Sequence, residues 1–233
     1  MIDYVLYFAA IAAIVLSLVA QFKVQSTFNH YSRVGTSCRR TAATVARSML
    51  DSAGLYHVRI ERTRGSLTDH YDPAAQVLRL SDSVYDSSSA AAVGVAAHEA
   101  GHALQHAEGY APIKMRSALV PVTSFASKFS WLIIMAGILF MNIGNSLTGY
   151  YVTLFGIGLF AFTTLFQLVT LPCEFNASGR AMTALEGMGC YSSDELAASK
   201  KVLFAAALTY VASFALSLIQ LLRLLSRVNG RRR

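Results

Sequence analysis

The chain is short of charge. Only 14% of its 233 residues are Asp, Glu, Lys or Arg, against about a quarter in an ordinary soluble domain. That shortage argues against a conventional water-soluble globule and points to lipid, because helices facing hydrocarbon carry almost no ionised side chains. Cysteine is scarce as well. Cys38, Cys173 and Cys190 make no C-x-x-C or zinc-ribbon spacing, so they carry no redox or metal signal and read as packing residues. No internal repeat is present, and the Ser/Ala run 87–92 is the sole low-complexity patch. No G-x-x-x-x-G-K-[ST] stretch occurs, which argues against a P-loop nucleotide site. The first apolar run also lacks basic residues before it. Lys23, Arg33, Arg39 and Arg40 all follow it. It therefore reads as a retained anchor with its N-terminus outside, rather than a removed signal peptide.

What is present, first of all, is a set of long apolar runs. Residues 4–21, 131–147, 150–171 and 202–222 each have the length and composition of a crossing helix. Four spanning helices are expected, within a mainly α fold. The net charge of +7 could suggest nucleic acid, but the basic residues are mostly juxtamembrane, so no nucleic-acid partner is expected. Segment 22–117 holds eleven of the twenty Lys and Arg, segment 172–201 adds Arg180, Lys200 and Lys201, and the turn 142–149 holds none. By the positive-inside rule both larger segments are expected in the cytoplasm. The basic tail "SRVNGRRR" runs against that assignment. Lys128 reads as an interfacial lysine whose stem lies in lipid.

Between the first two runs the character of the chain changes. Residues 41–53 are amphipathic, and Gly54 is placed to end a helix there. "HVRIE", "LTDHY" and "QVLRLS" are short strand-like pieces separated by turn chemistry, which predicts two or three β-strands within 57–80. Ser87–Ser89 can cap a helix that runs on to Gly109. Pro172 is expected to interrupt the third spanning helix, leaving "EFNASGRAMTALEGMG" as a separate surface helix. Ser192 with Glu195 makes a capping box for the last long helix. The expected organisation is an anchor at 1–22, a catalytic portion at 23–117, a membrane hairpin at 118–171, a surface helix at 172–201 carrying the third ligand of a metal site, and a final spanning helix with the tail at 202–233.

That metal site is announced by "AAHEAGHALQH". On a helix, His98 and His102 lie one turn apart on one face and can both bind one zinc ion. Glu99 then faces the open coordination position as a general base, acting on water whose pKa zinc lowers to about 7. A catalytic zinc needs a third protein ligand. His106 looks available, but it lies about 12 Å along the helix from His98 and about 80° around it, too far for bonds of about 2 Å. Gln105 stands where histidine-rich relatives of this motif carry Gly. A carboxylate from another helix is the better candidate. Glu174 is almost alone among acids just past Pro172, with Glu186 and Glu195 as weaker alternatives. Asn176 and Ser178 are placed to hydrogen-bond the ligands.

With those residues in view, the chain resembles the YugP-like neutral zinc metallopeptidases of bacterial membranes. The resemblance runs through "YSRV", "LTDHYDP", "LRLS", "AAHEAGHALQHAEGYAPIKMRSALVPV", "FQLVTLPCEFNASGRA" and "KKVLFAAALTYVA", nearly the whole length. More distantly it is similar to HtpX-type membrane proteases, whose third ligand is a Glu in an E-x-x-A-D motif. Here "EFNAS" keeps Glu174 and Ala177 but has Ser178 in place of the Asp. The resemblance implies a small α+β zincin-like catalytic portion of the gluzincin type. It also implies that a strand before the zinc helix, "LTDHYDP" or "QVLRLS", pairs with extended substrate. His70, Tyr71 and Asp72 become substrate-side candidates. Tyr71, Arg180 and Tyr210 are candidates for stabilising the oxyanion.

The expectation is therefore a multi-pass membrane zinc endopeptidase, independent of ATP, with one zinc per chain held by His98, His102 and Glu174. Its partners would be the lipid bilayer and protein or peptide substrates. The rival reading is a non-catalytic zinc-binding membrane scaffold, which would have no use for Glu99. A transporter is disfavoured by the near absence of charge within the spans.

Overall fold

A computed structural model describes residues 2–144 and 146–230. In chain order the elements are α1 (Ile2–Tyr31), α2 (Ala42–Ser52), β1 (Arg59–Thr63), β2 (His70–Asp72), β3 (Val77–Ser81), α3 (Ala90–Ala107), α4 (Ala111–Asn142), α5 (Ser146–Gly187) and α6 (Ser193–Gly230). The fold is mainly helical with one small sheet. Helices α1, α4, α5 and α6 are long and apolar enough to cross a membrane.

The residues cluster into two units. One comprises Met1–Val19, Met115–Leu171 and Tyr210–Arg233, and the other Ala20–Lys114 and Pro172–Thr209. In the first, α4 and α5 form a hairpin whose turn is tighter than the expected 142–149, since α4 runs to Asn142 and α5 starts at Ser146. The two backbones touch. A Cβ on Gly137 would come within 2.5 Å of Thr153 N, and one on Gly149 within 2.4 Å of Met141 N. In lipid, where apolar surface alone drives no association, such small-residue contacts hold helices together.

The second unit carries an aqueous-type core. Val45, Ala46, Met49 and Leu50 of α2 pack with Leu78 and Leu80 of β3, the alanines of α3, and Ala181, Leu185, Val202 and Leu203. The sheet order is β1-β3-β2, with β1 parallel and β2 antiparallel to β3. β3 is thus central and buried, while β2 is an edge. Local sequence sets the helix ends. Thr41 caps α2 by accepting from Thr44 N, and Ser89 caps α3 by accepting from Ala92 N. Gly54 (φ 74°) and Gly109 (φ 65°) follow α2 and α3 in the left-handed region. The Ser192–Glu195 capping box forms in both directions, at 2.9 and 3.3 Å.

Pro172 does not end its helix. α5 continues through it to Gly187, so the expected separate surface helix is the last part of α5. Proline in a helix interior costs about 3 kcal/mol. Against that, Cys173, Glu174, Ala177, Ala181 and Leu185 form a buried stripe at helical spacing, and keeping the helix keeps that stripe together.

The cysteines also differ from expectation. Cys38 and Cys190 form a disulfide across 152 positions, while Cys173 is buried and outside it. The bond closes over a clamp in which the Ser37 amide and hydroxyl both donate to the Glu195 carboxylate, at 2.7 and 2.8 Å.

Candidate metal centre

α3 is built to be surrounded. Its sequence, "AAAVGVAAHEAGHALQHA", is nearly all small residues, and Ala90–Gly94, Ala96, Ala97, Ala100, Gly101 and Ala103 are all buried. A Cβ at Gly101 would stand 2.7 Å from the Ala177 carbonyl oxygen of α5. The glycine therefore lets the "HEAGH" turn lie directly on the α5 backbone, one turn from Glu174. At the other end Ser199 of α6 donates to the Ala90 carbonyl at 2.8 Å.

This packing gathers the expected ligands. One donor atom from each of His98, His102 and Glu174 lies within 4.8 Å of the others. His98 Nε2 is 3.2 Å from Glu174 Oε2, and His102 Nε2 is 3.6 Å from the same oxygen. A tetrahedral ion with bonds of about 2.0–2.1 Å spaces its ligands by about 3.3 Å. Both nitrogen–oxygen separations are thus close to the edge of such a tetrahedron. Glu174 is only 2% exposed, and a carboxylate that deep needs cationic or metal partners. Burial pulls the His102 pKa down, but the facing carboxylates of Glu174 and Glu99 outweigh this and raise it above the ordinary histidine value.

The second nitrogen of each histidine is also held. His98 Nδ1 is 3.1 Å from Ser178 Oγ, and His102 Nδ1 is 3.0 Å from Gln105 Oε1. Gln105 settles its own orientation. Its amide nitrogen donates to the Cys173 carbonyl at 2.8 Å and to Asn176 Oδ1 at 2.9 Å. Its oxygen must therefore accept, which puts the proton on His102 Nδ1 and leaves Nε2 as a lone pair for metal. Asn176 Oδ1 in turn accepts from Arg180 Nε at 2.8 Å, and Arg180 grips both Glu108 oxygens at 2.7 Å. A single chain of polar contacts thus runs from His102 across α5 and back to the end of α3. Gln105→Leu keeps the volume and deletes the acceptor. It is expected to weaken zinc binding by about 10–100-fold, measured by competition with a chromogenic chelator; unaltered affinity would mean that Gln105 does not orient His102.

The remaining candidates are dispersed. Glu99 is no part of the ligand group. Its Oε2 accepts from the Tyr71 amide at 3.1 Å, which ties the carboxylate to edge strand β2. Tyr71 also stacks obliquely against His106, ring centroids 5.7 Å apart, and His106 stands outside the ligand group. Asp72 is occupied by Arg79 at 3.0 Å and by the amides of Ala74 and Ala75. His70 is exposed, with Nδ1 2.9 Å from the Thr68 carbonyl. Arg180 is engaged with Glu108 and Asn176, and Tyr210 belongs to the other unit. Of the alternative ligands, Glu195 clamps Ser37 and Glu186 lines a groove with Phe175, Lys200 and Phe204. Two residues near the site went unforeseen. Gln105 is wholly buried, and its signal was a polar side chain three residues after a ligand on an alanine-rich helix. Asp69 receives the Ser81 amide and hydroxyl; burial, reinforced by the charge of Glu99, pushes its pKa up despite those bonds.

The comparisons with known proteins point the same way. A family model described as "Putative neutral zinc metallopeptidase" matches residues 6–229. A Bacillus subtilis (strain 168) protein named "Putative membrane protease YugP" is 48% identical over 225 residues, covering 96% of this chain and 97% of the relative. No solved structure matches.

Proposed function

Since the chain belongs to the family described as "putative neutral zinc metallopeptidase", we propose that it is a zinc-dependent, ATP-independent membrane endopeptidase. Its substrates are membrane proteins or polypeptides close to the membrane. The observation that carries this is the meeting of His98, His102 and Glu174 from segments 76 residues apart, with both Nε2 atoms turned to one buried carboxylate oxygen. One zinc ion per chain fits these three donors and leaves a fourth position open. When bound, it supplies Lewis-acid polarisation of the scissile carbonyl and acidifies the attacking water.

The protein's own groups do the rest. His98 and His102 bind through Nε2, His102 kept in that tautomer by Gln105 and His98 held by Ser178 at its other nitrogen. Glu99 takes the proton from the attacking water and passes it to the leaving nitrogen, general base then general acid. The Tyr71 amide holds that carboxylate in place, so base and edge strand are fixed to one another. β2 is the strand with an unpaired edge beside α3, whereas β3 is central and paired on both sides. An extended substrate therefore adds along β2 rather than along "QVLRLS", which sets its peptide groups beside Glu99.

The test is hydrolysis of a generic unfolded protein by the purified full chain in detergent. Activity should vanish with a strong zinc chelator and return with one equivalent of zinc. Stoichiometric zinc without any hydrolysis would instead identify a metal-binding scaffold.

A further inference from the structure

We propose that the metal centre faces the outer, oxidising side of the membrane, with both termini in the cytoplasm, and that its substrates are exported or outer-face polypeptides. This is the reverse of what the overall count of basic residues suggests. The substrate part rests on the peptidase reading above; the placement does not.

The first observation is the Cys38–Cys190 disulfide. Disulfides persist in oxidising compartments, whereas cytosolic thiols are kept reduced. Both cysteines are half-buried rather than sealed in the core, so cytosolic reductants would reach them. The pair is also prepared for closure. Ser37, the neighbour of Cys38, donates from its amide and hydroxyl to Glu195, and its hydroxyl is 3.4 Å from the Cys190 carbonyl. Those contacts hold the two loops together without the covalent bond. Closing it releases two electrons and two protons, taken up by a protein disulfide of the exported compartment through thiol–disulfide exchange.

The second observation is independent of the first. The positive-inside rule counts short segments, because long ones are translocated largely regardless of charge. Segment 22–117 exceeds the length at which its eleven basic residues count. Among the shorter segments, 172–201 has three basic residues, Arg180, Lys200 and Lys201, alongside Glu174, Glu186, Asp194 and Glu195. The tail has five, Arg223, Arg227, Arg231, Arg232 and Arg233, with no acid among them. The tail therefore stays inside. With four crossings, chain order puts the N-terminus and the α4–α5 turn on the tail's side and the disulfide on the other. The disulfide belongs to the same unit as His98, Glu99, His102 and Glu174, so the site goes with it. A site there has no access to cytosolic ATP, in keeping with the absence of a P-loop.

Labelling in intact cells tests this without any peptidase assay. The full-length protein is treated with a membrane-impermeant maleimide, before and after a membrane-impermeant reductant. Cys38 and Cys190 should label only after reduction and without permeabilisation, and the Cys38→Ser/Cys190→Ser variant should lose that signal. In an Arg233→Cys variant, the tail should label only once the cells are permeabilised. Tail labelling in intact cells, or Cys38 and Cys190 labelling only after permeabilisation, would overturn the proposal. Neither result depends on whether the protein cleaves peptides, so failure of one reading is distinguishable from failure of the other.

Discussion

Glu99→Gln is expected to lower peptide hydrolysis by about 10²–10⁴-fold, the usual contribution of a general acid–base group, while zinc stays bound at one per chain. The separation of the two effects follows from geometry. Glu99 is outside the ligand group, and its visible partner is the Tyr71 amide at 3.1 Å. A glutamine oxygen can still accept that hydrogen bond, so the strand and helix keep their arrangement. What disappears is the ability to take a proton from water. Turnover with a quenched peptide and zinc content by mass spectrometry are measured on the same preparation. Hydrolysis at the wild-type rate would remove Glu99 from the mechanism, and loss of zinc together with activity would make it a ligand.

The second large effect is on the metal itself. Glu174→Gln should weaken zinc binding by about 10³-fold, roughly a third of the apparent binding energy of a protein zinc site. The substitution is nearly isosteric, so it removes charge from a buried position without opening a cavity. The two histidines then face a neutral amide and lose the carboxylate oxygen that both Nε2 atoms now share. Glu186→Gln is the control, since Glu186 lies on another face of α5 and lines a groove with Lys200 and Phe204. Chelator competition on both variants decides the assignment. A loss of affinity in the Glu186 variant and none in the Glu174 variant would reverse it.

Much of this was legible in the chain because it depends on near neighbours. Caps at Ser89 and Ser192 act over three residues, and the His98–His102 pair over four, so local spacing suffices to read them. Glu174 was legible only by elimination, once helix geometry removed His106. What stayed hidden depends on distant partners. Pro172 looks like a breaker until its helix is seen to bury Glu174, Ala177, Ala181 and Leu185 on one side, a tertiary gain no local rule contains. Gln105 has no metal-ligand chemistry, and its role exists only because Asn176 and the Cys173 carbonyl lie opposite. Cys38 and Cys190 are separated by 152 positions, and no spacing pattern joins residues that far apart.

That disulfide has a topological effect as well. It closes a covalent ring from residue 38 to residue 190, and His98, Glu99, His102 and Glu174 are all inside it. A single backbone cut anywhere on that ring opens it without parting its ends. A protein-cleaving enzyme nicked by its neighbours or by itself therefore remains one molecule, with both halves of the metal site still tethered.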